Sequence, residues 1–172
     1  QLKEREKDLW KFGVRSNGGG FYAHSPDENI QFRLLGYAQA VGTLVNDDFV
    51  NSFGSGDVRV RRARVGWYFL LNKKYELFIE YDGVPTTGNL VEARLDITWM
   101  GGDLRMGAGK MVVPLSEEGW RSSRNYDTIE RFIALNSAYG LPAEDTQIGV
   151  MFHGQILENN KLTWYVGAWN GN

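Results

Sequence analysis

Residues 57–82 read DVRVRRARVGWYFLLNKKYELFIEYD, and the fold turns on how this stretch is parsed. Ala63, Val65, Trp67, Phe69 and Leu71 alternate with Arg62, Arg64, Gly66 and Tyr68. After Asn72-Lys73 the rhythm resumes, with Tyr75, Leu77, Ile79 and Tyr81 on one side and Lys74, Glu76, Phe78, Glu80 and Asp82 on the other. A period of two is that of a β-strand, whose successive side chains face opposite ways. Two such runs joined at Asn72-Lys73 predict a hairpin with a tight turn.

Worked outward, the same rhythm predicts seven strands: Ile30–Val45, Asp57–Leu71, Lys74–Asp82, Leu90–Met100, Asp103–Val113, Asp145–Leu157 and Lys161–Asn170. Tight turns are expected at Asn72-Lys73, Gly101-Gly102 and Glu158–Asn160. Longer loops are expected over 46–56 and 83–89, and the segment Pro114–Ala143 breaks the rhythm altogether. One end of the sheet is therefore tight and the other elaborated. The strands are long against the usual ~5–6 residues. Before them, residues 1–11 read as a helical tail, with Leu2 and Leu9 one heptad apart, and 12–29 as a connector holding Gly18-Gly19-Gly20 and Pro26.

Every strand has one apolar wall and one polar wall. Strand Leu90–Met100 sets Val91, Ala93, Leu95, Ile97 and Trp99 against Glu92, Arg94, Asp96 and Thr98. Strand Asp145–Leu157 sets Ile148, Val150, Phe152 and Ile156 against Gln147, Gly149, His153 and Gln155. Two architectures share this pattern. In a soluble sandwich or barrel the apolar wall is the core. In an outer-membrane barrel it meets lipid, and the charged wall lines a wet lumen. Phe69, Tyr75 and Trp99 sit on the apolar wall beside the tight turns, and Tyr81 shares that wall, as an interfacial girdle requires. The loop asymmetry favours the same barrel.

Composition bounds the rest. The 172 residues are 42% hydrophobic, and no run approaches the ~18 apolar residues of a membrane helix. That leaves a barrel open, because alternating strands average out as polar. With 21 Gly, 13% aromatics and only 4 Pro, the chain suits sheet better than disorder. A net charge of −2 makes no demand for nucleic acid. The absence of cysteine excludes disulfides, thiolate zinc sites and cysteine nucleophiles. Starting at Gln1 without Met or an apolar leader, the sequence reads as a mature or excised piece.

Enzyme motifs fail on spacing. Gly107-Ala108-Gly109-Lys110 is followed by Met111, where a phosphate loop needs Ser or Thr. No nucleophile elbow surrounds Ser55 or Ser116. His24 and His153 lack a neighbouring ligand set, so neither a metal nor a cofactor is expected.

Several elements recur in an ordered set: Val60-Arg61-Arg62-Ala63-Arg64-Val65-Gly66, Glu80-Tyr81-Asp82, Gly109 to Glu118 (GKMVVPLSEE), Ile129-Glu130-Arg131, Gly149-Val150 and Trp169-Asn170-Gly171. In this order they resemble the phosphate-selective porin O and P family of Gram-negative outer membranes, over roughly residues 28 to 172. The resemblance implies an all-β transmembrane antiparallel barrel of roughly sixteen strands. It also implies a homotrimer in the outer membrane that passes small anions such as phosphate and meets lipid and lipopolysaccharide. It makes 30–172 the N-terminal portion of a longer barrel, since seven strands is an odd number with two bare edges. The segment 114–143 becomes a pore-constricting loop carrying Trp120, Tyr126 and Phe132, with a short helical turn over 127–136.

An anion pore needs cations facing water, and the arginine fork suits phosphate. Strand parity places Arg33, Arg62, Arg64, Arg94 and Arg105 on the polar wall, and Arg121, Arg124 and Arg131 lie in the long segment. The family analogy singles out Arg62, Arg64 and Arg131. Against them on the same wall stand Glu76, Glu80, Asp82, Glu92 and Asp96, so cross-strand salt bridges such as Arg94 with Glu80 are an equally direct use of these residues. Parity puts Arg59, Arg61 and Lys110 on the lipid-facing wall, the first two near the outer end of their strand, where rim solvation is expected ahead of contact with lipopolysaccharide phosphates. Four functions stay open: an anion-selective porin, a general porin, a soluble β-sandwich or barrel that binds a ligand, and a small adhesive outer-membrane barrel without a pore.

Overall fold

The computed structural model describes residues 9–15, 20–43, 57–84, 89–99, 104–114, 146–156 and 162–170. They form one antiparallel sheet of nine strands in strict sequence order. The strands are β1 (Lys11–Val14), β2 (Phe21–His24), β3 (Ile30–Thr43), β4 (Asp57–Leu71), β5 (Tyr75–Asp82), β6 (Asn89–Trp99), β7 (Leu104–Val112), β8 (Thr146–Ile156) and β9 (Leu162–Trp169). Each strand pairs with its sequence neighbours. Among the described residues the outer edges of β1 and β9 stay open, so the sheet is not closed into a barrel.

The seven expected strands are present as β3–β9. Two more lie inside the stretch expected to be a connector. β1 and β2 form a hairpin that lies on the outer edge of β3, with Phe21 opposite Leu34 and His24 opposite Gln31. Four residues each are too few for periodicity to reveal, and pairing with β3 supplies what local sequence lacks. Gly20 lets the chain enter this edge. Its φ of 67° is left-handed, and a Cβ there would run into the backbone of Leu34. Most of the expected N-terminal helix, residues 1–8, lies outside the described residues, and Lys11 at its end belongs to β1.

The hairpin β4–β5 closes as its sequence demands. Asn72 and Lys73 both adopt a φ of 53°, the double left-handed step of a type I′ turn, and Lys74 N donates to Leu71 O at 3.1 Å. By strand direction, β2–β3, β4–β5, β6–β7 and β8–β9 are joined at this end of the sheet across 5, 3, 4 and 5 residues, and β1–β2, β3–β4, β5–β6 and β7–β8 at the other across 6, 13, 6 and 33. The expected asymmetry of short and long connections is therefore present. In the short β2–β3 link, Ser25 Oγ donates to Asp27 Oδ1 at 2.6 Å, and that bond holds the Asp27 carboxyl below its ordinary pKa.

Burial runs opposite to that of a soluble sheet. Within strands the buried side chains are Arg62, Asp82, Glu92, Asp96, Met111, Gln147 and Met151, all on the polar wall. On the apolar wall Phe69, Leu77, Leu95, Val150, Phe152 and Val166 are exposed, Val166 at 64%. The sheet thus encloses its charged wall and presents its apolar one.

Candidate functional site: the charged wall

Registers carry the polar wall across the sheet. Arg33 faces Tyr68, Tyr68 faces Phe78, Phe78 faces Arg94, and Arg94 faces Gly109. A second row runs from Tyr37 through Arg64 to Asp82, and a third from Thr98 through Arg105 to His153 and Tyr165. Arg33, Arg62, Arg64, Arg94 and Arg105 therefore share one face, as parity predicts. The expected residues Trp120, Arg121, Arg124, Tyr126, Arg131 and Phe132 lie outside the described residues, as does the 127–136 turn.

Two arginines are clamped between carboxylates. Arg64 Nη1 lies 3.1 Å from Glu80 Oε2, and its Nε donates to Asp82 Oδ2 at 3.0 Å. Asp82 Oδ1 also accepts from Ala63 N and Val84 N, each at 3.2 Å, which ties the end of β5 to β4. Arg94 Nε donates to Asp96 Oδ2 at 2.7 Å, and its Nη1 pairs with Glu92. The anticipated Arg94–Glu80 pair is replaced by these two clamps. Glu80 sits directly opposite Glu92, and the repulsion of that like-charged pair is relieved by a guanidinium on either side.

Other cations meet rings and amides. The Arg33 guanidinium carbon lies 3.6 Å from the Tyr68 ring centroid, a close cation–π contact. Tyr68 in turn donates its hydroxyl to Glu76 at 3.0 Å. Arg33 Nε is enclosed with no hydrogen-bond partner among the described residues. Arg62 Nη1 donates to Gln39 Oε1 at 3.1 Å. Arg105 is exposed at the tight end. His153 Nε2 lies 3.8 Å from Asp96 Oδ1, and its ring stacks on Tyr165 with centroids 5.8 Å apart.

One residue changes walls. Gln39 pairs with Arg62 but Ala40 pairs with Val60, so Arg61 is the extra residue of a β-bulge. Past the bulge the parity of β4 flips. Arg59 faces Val41 on the polar wall, and Val58 and Val60 join the apolar one, 79% and 53% exposed. The expected lipid-wall position of Arg59 is thus corrected. The signal was in the sequence: V-R-V and A-R-V alternate cleanly on either side of Arg61-Arg62, with one residue too many between. A second bulge at Glu80/Tyr81 leaves Val91 as the extra residue and places Leu90 opposite Tyr81 on the apolar wall.

Lys110 keeps its expected place on the apolar wall, between Ala93 and Ile148. Its ammonium bends back to the Leu90 carbonyl at 2.5 Å, the snorkelling expected of a lysine on an apolar surface. Phe69, Tyr75, Tyr81 and Trp99, expected to form an interfacial girdle, all stand exposed on this wall, and Phe32 packs on Phe69 with ring centroids 5.0 Å apart.

Glycines shape the polar wall beneath these groups. A Cβ on Gly107 would fall 2.6 Å from Asp96 Oδ1, and one on Gly149 would fall 2.6 Å from Trp169 Cδ1. Sequence reasoning named Trp169 only as part of a terminal motif and gave it no place on a wall; its ring lies across Gly149 and Gly167. A tryptophan at odd parity on β9 opposite a glycine was the available clue. No protein-family model matches the chain, and no curated protein matches it.

Proposed function

We propose that this chain forms wall strands of an outer-membrane β-barrel, a water-filled pore through which small anions diffuse. The observation that supports it is the inverted sheet: charged side chains enclosed, apolar ones presented outward. Enclosed ions are costly unless paired and hydrated, and an exposed apolar face of this extent demands a cover. Water on one wall and lipid on the other satisfy both demands. Closure requires further strands on the open edges of β1 and β9, because a bilayer does not tolerate unpaired edges. Anions are favoured by the arginine column Arg59, Arg62 and Arg64 on β4, with Arg33 beside it on β3. The trimeric state, the lipopolysaccharide contacts and the phosphate preference that the resemblance implies belong to the same reading.

A pore without ionic preference is a second reading. It is favoured by the clamps on Arg64 and Arg94, which spend two cations on four carboxylates. Reconstitution of the full-length polypeptide in planar bilayers separates these readings. Stepwise conductance with a zero-current potential of anionic sign, reduced in Arg33→Ala and Arg62→Ala, is the expected result. Conductance without ionic preference leaves the general pore. No conductance, with gel mobility insensitive to heating, overturns the barrel.

A further inference from the structure

One row of the polar wall is built from arginines, rings and glycines alone. Tyr22, Arg33, Tyr68, Phe78 and Arg94 face one another in turn on β2–β6. Gly13 precedes Tyr22 on β1, and Gly109 and Gly149 separate Arg94 from Trp169 on β9. The row holds no carboxylate. The rows on either side of it carry Glu76 with Asp96 and Glu80 with Glu92, all on β5 and β6. On β2–β4 the flanking positions are His24, Gln31 and Leu70 on one side and Leu35 and Gly66 on the other. At these three levels Arg33 therefore has no acidic neighbour on its own strand or on either adjoining one. The rings of the row lie over glycines. A Cβ on Gly13 would fall 2.7 Å from Tyr22 Oη and one on Gly66 3.5 Å from Phe78 Cε2, and Trp169 lies across Gly149. With the backbone beneath them, these rings turn a face to the enclosed space, and each is only half-buried. Cations accompany them: Arg33 covers Tyr68 at 3.6 Å, Arg94 stands 5.5 Å from Phe78, and Arg15 stands 5.8 Å from Tyr22.

Each component of this row suits one part of a solute. A guanidinium laid on a ring keeps in-plane N–H groups for a carboxylate and a second face for stacking. An inorganic anion uses the N–H groups and gains nothing from the rings. An uncharged ring uses the rings and leaves the guanidinium idle. A flat ring that carries a carboxylate uses both, stacking on the guanidinium or a neighbouring ring. We propose that the Tyr22–Arg33–Tyr68 part of this row binds aromatic carboxylates, with the carboxylate on Arg33 and the arene against the flat groups beside it. The inference rests on the pore reading above and names, among anions, the class that this wall favours.

The test is the drop in chloride conductance of the full-length protein in planar bilayers as benzoate or cyclohexanecarboxylate is added. The two probes share charge, approximate size and apolar character, and only benzoate has a π face. Benzoate is expected to half-block the current at a concentration roughly two- to ten-fold lower, the yield of one stacking contact. Arg33→Lys keeps the charge and loses the planar group, and Tyr22→Leu removes a ring beside it. Both should bring the two probes together while the zero-current potential in chloride stays as it was. Equal block by the two probes in the unmodified protein, or none, overturns the proposal and leaves the pore intact. A benzoate preference that persists in both variants lies elsewhere on the wall and overturns the assignment to this row. No conductance at all overturns the pore itself.

Discussion

At the scale of single residues, the charged wall depends on Arg94. Its guanidinium serves Glu92 and Asp96, whose side chains are only 10% and 6% exposed. Removing one member of such a group leaves the others enclosed and uncompensated, which costs far more than the pair contributes while intact. Arg94→Ala is expected to lower unfolding stability in detergent or lipid by about 3 kcal/mol. Glu92→Gln in the same background should restore part of the loss, and a denaturant titration of the single and double variants measures the coupling. A stability equal to that of the unmodified protein would mean that water already solvates both carboxylates. That these residues face one wall was legible from parity. Their partners were not, because Glu80 can reach either Arg64 or Arg94, and the choice depends on register and rotamer across three strands.

At the scale of elements, the alternation within 57–82 predicts two strands and their turn, and the turn shows why local sequence suffices there. Two consecutive left-handed residues match the twist of the strands they join, and Asn accepts that geometry readily. Lys73 accepts it less well, since its Cβ crowds the carbonyl that follows. Lys73→Gly is therefore expected to stabilise the hairpin by about 1 kcal/mol. A raised denaturation midpoint with an unchanged slope checks it. Elements set by distant partners were less legible. β1 and β2 exist because β3 offers an edge, and the bulge at Arg61 exists because β3 and β4 must stay in register on both sides of it. Parity counted along one strand carries Arg59 to the wrong wall, and only the pairing with Val41 corrects it.

At the scale of the whole molecule, the sheet is covered on neither side by another described element, so its two walls must find their own surroundings. The membrane reading makes a prediction that a soluble sheet does not share. Val150 lies near the middle of β8 on the apolar wall and is 41% exposed. In water Val150→Arg at so open a site is expected to be nearly neutral. In a bilayer the same change at mid-depth should cost roughly 2–4 kcal/mol. Refolding into lipid vesicles against urea, compared with refolding in detergent micelles, measures the difference. No added cost in vesicles would remove lipid from the apolar wall and with it the pore.

The sequence by itself determined that residues 30–170 are dominated by β-strands, where most strands run, which end of the sheet is tight, and that each strand has an apolar and a charged wall. These follow from rules acting within a few residues: the period of two, the turn residues, and the lengths between runs. Only the tertiary structure decided which wall is enclosed. Alternation is symmetric in this respect, since the same pattern serves a sheet that turns its apolar wall inward or outward. The direction in which a sheet encloses side chains belongs to all its strands together. Nine strands in register enclose Arg62, Asp82, Glu92 and Asp96 and leave Phe69, Val150 and Val166 outside.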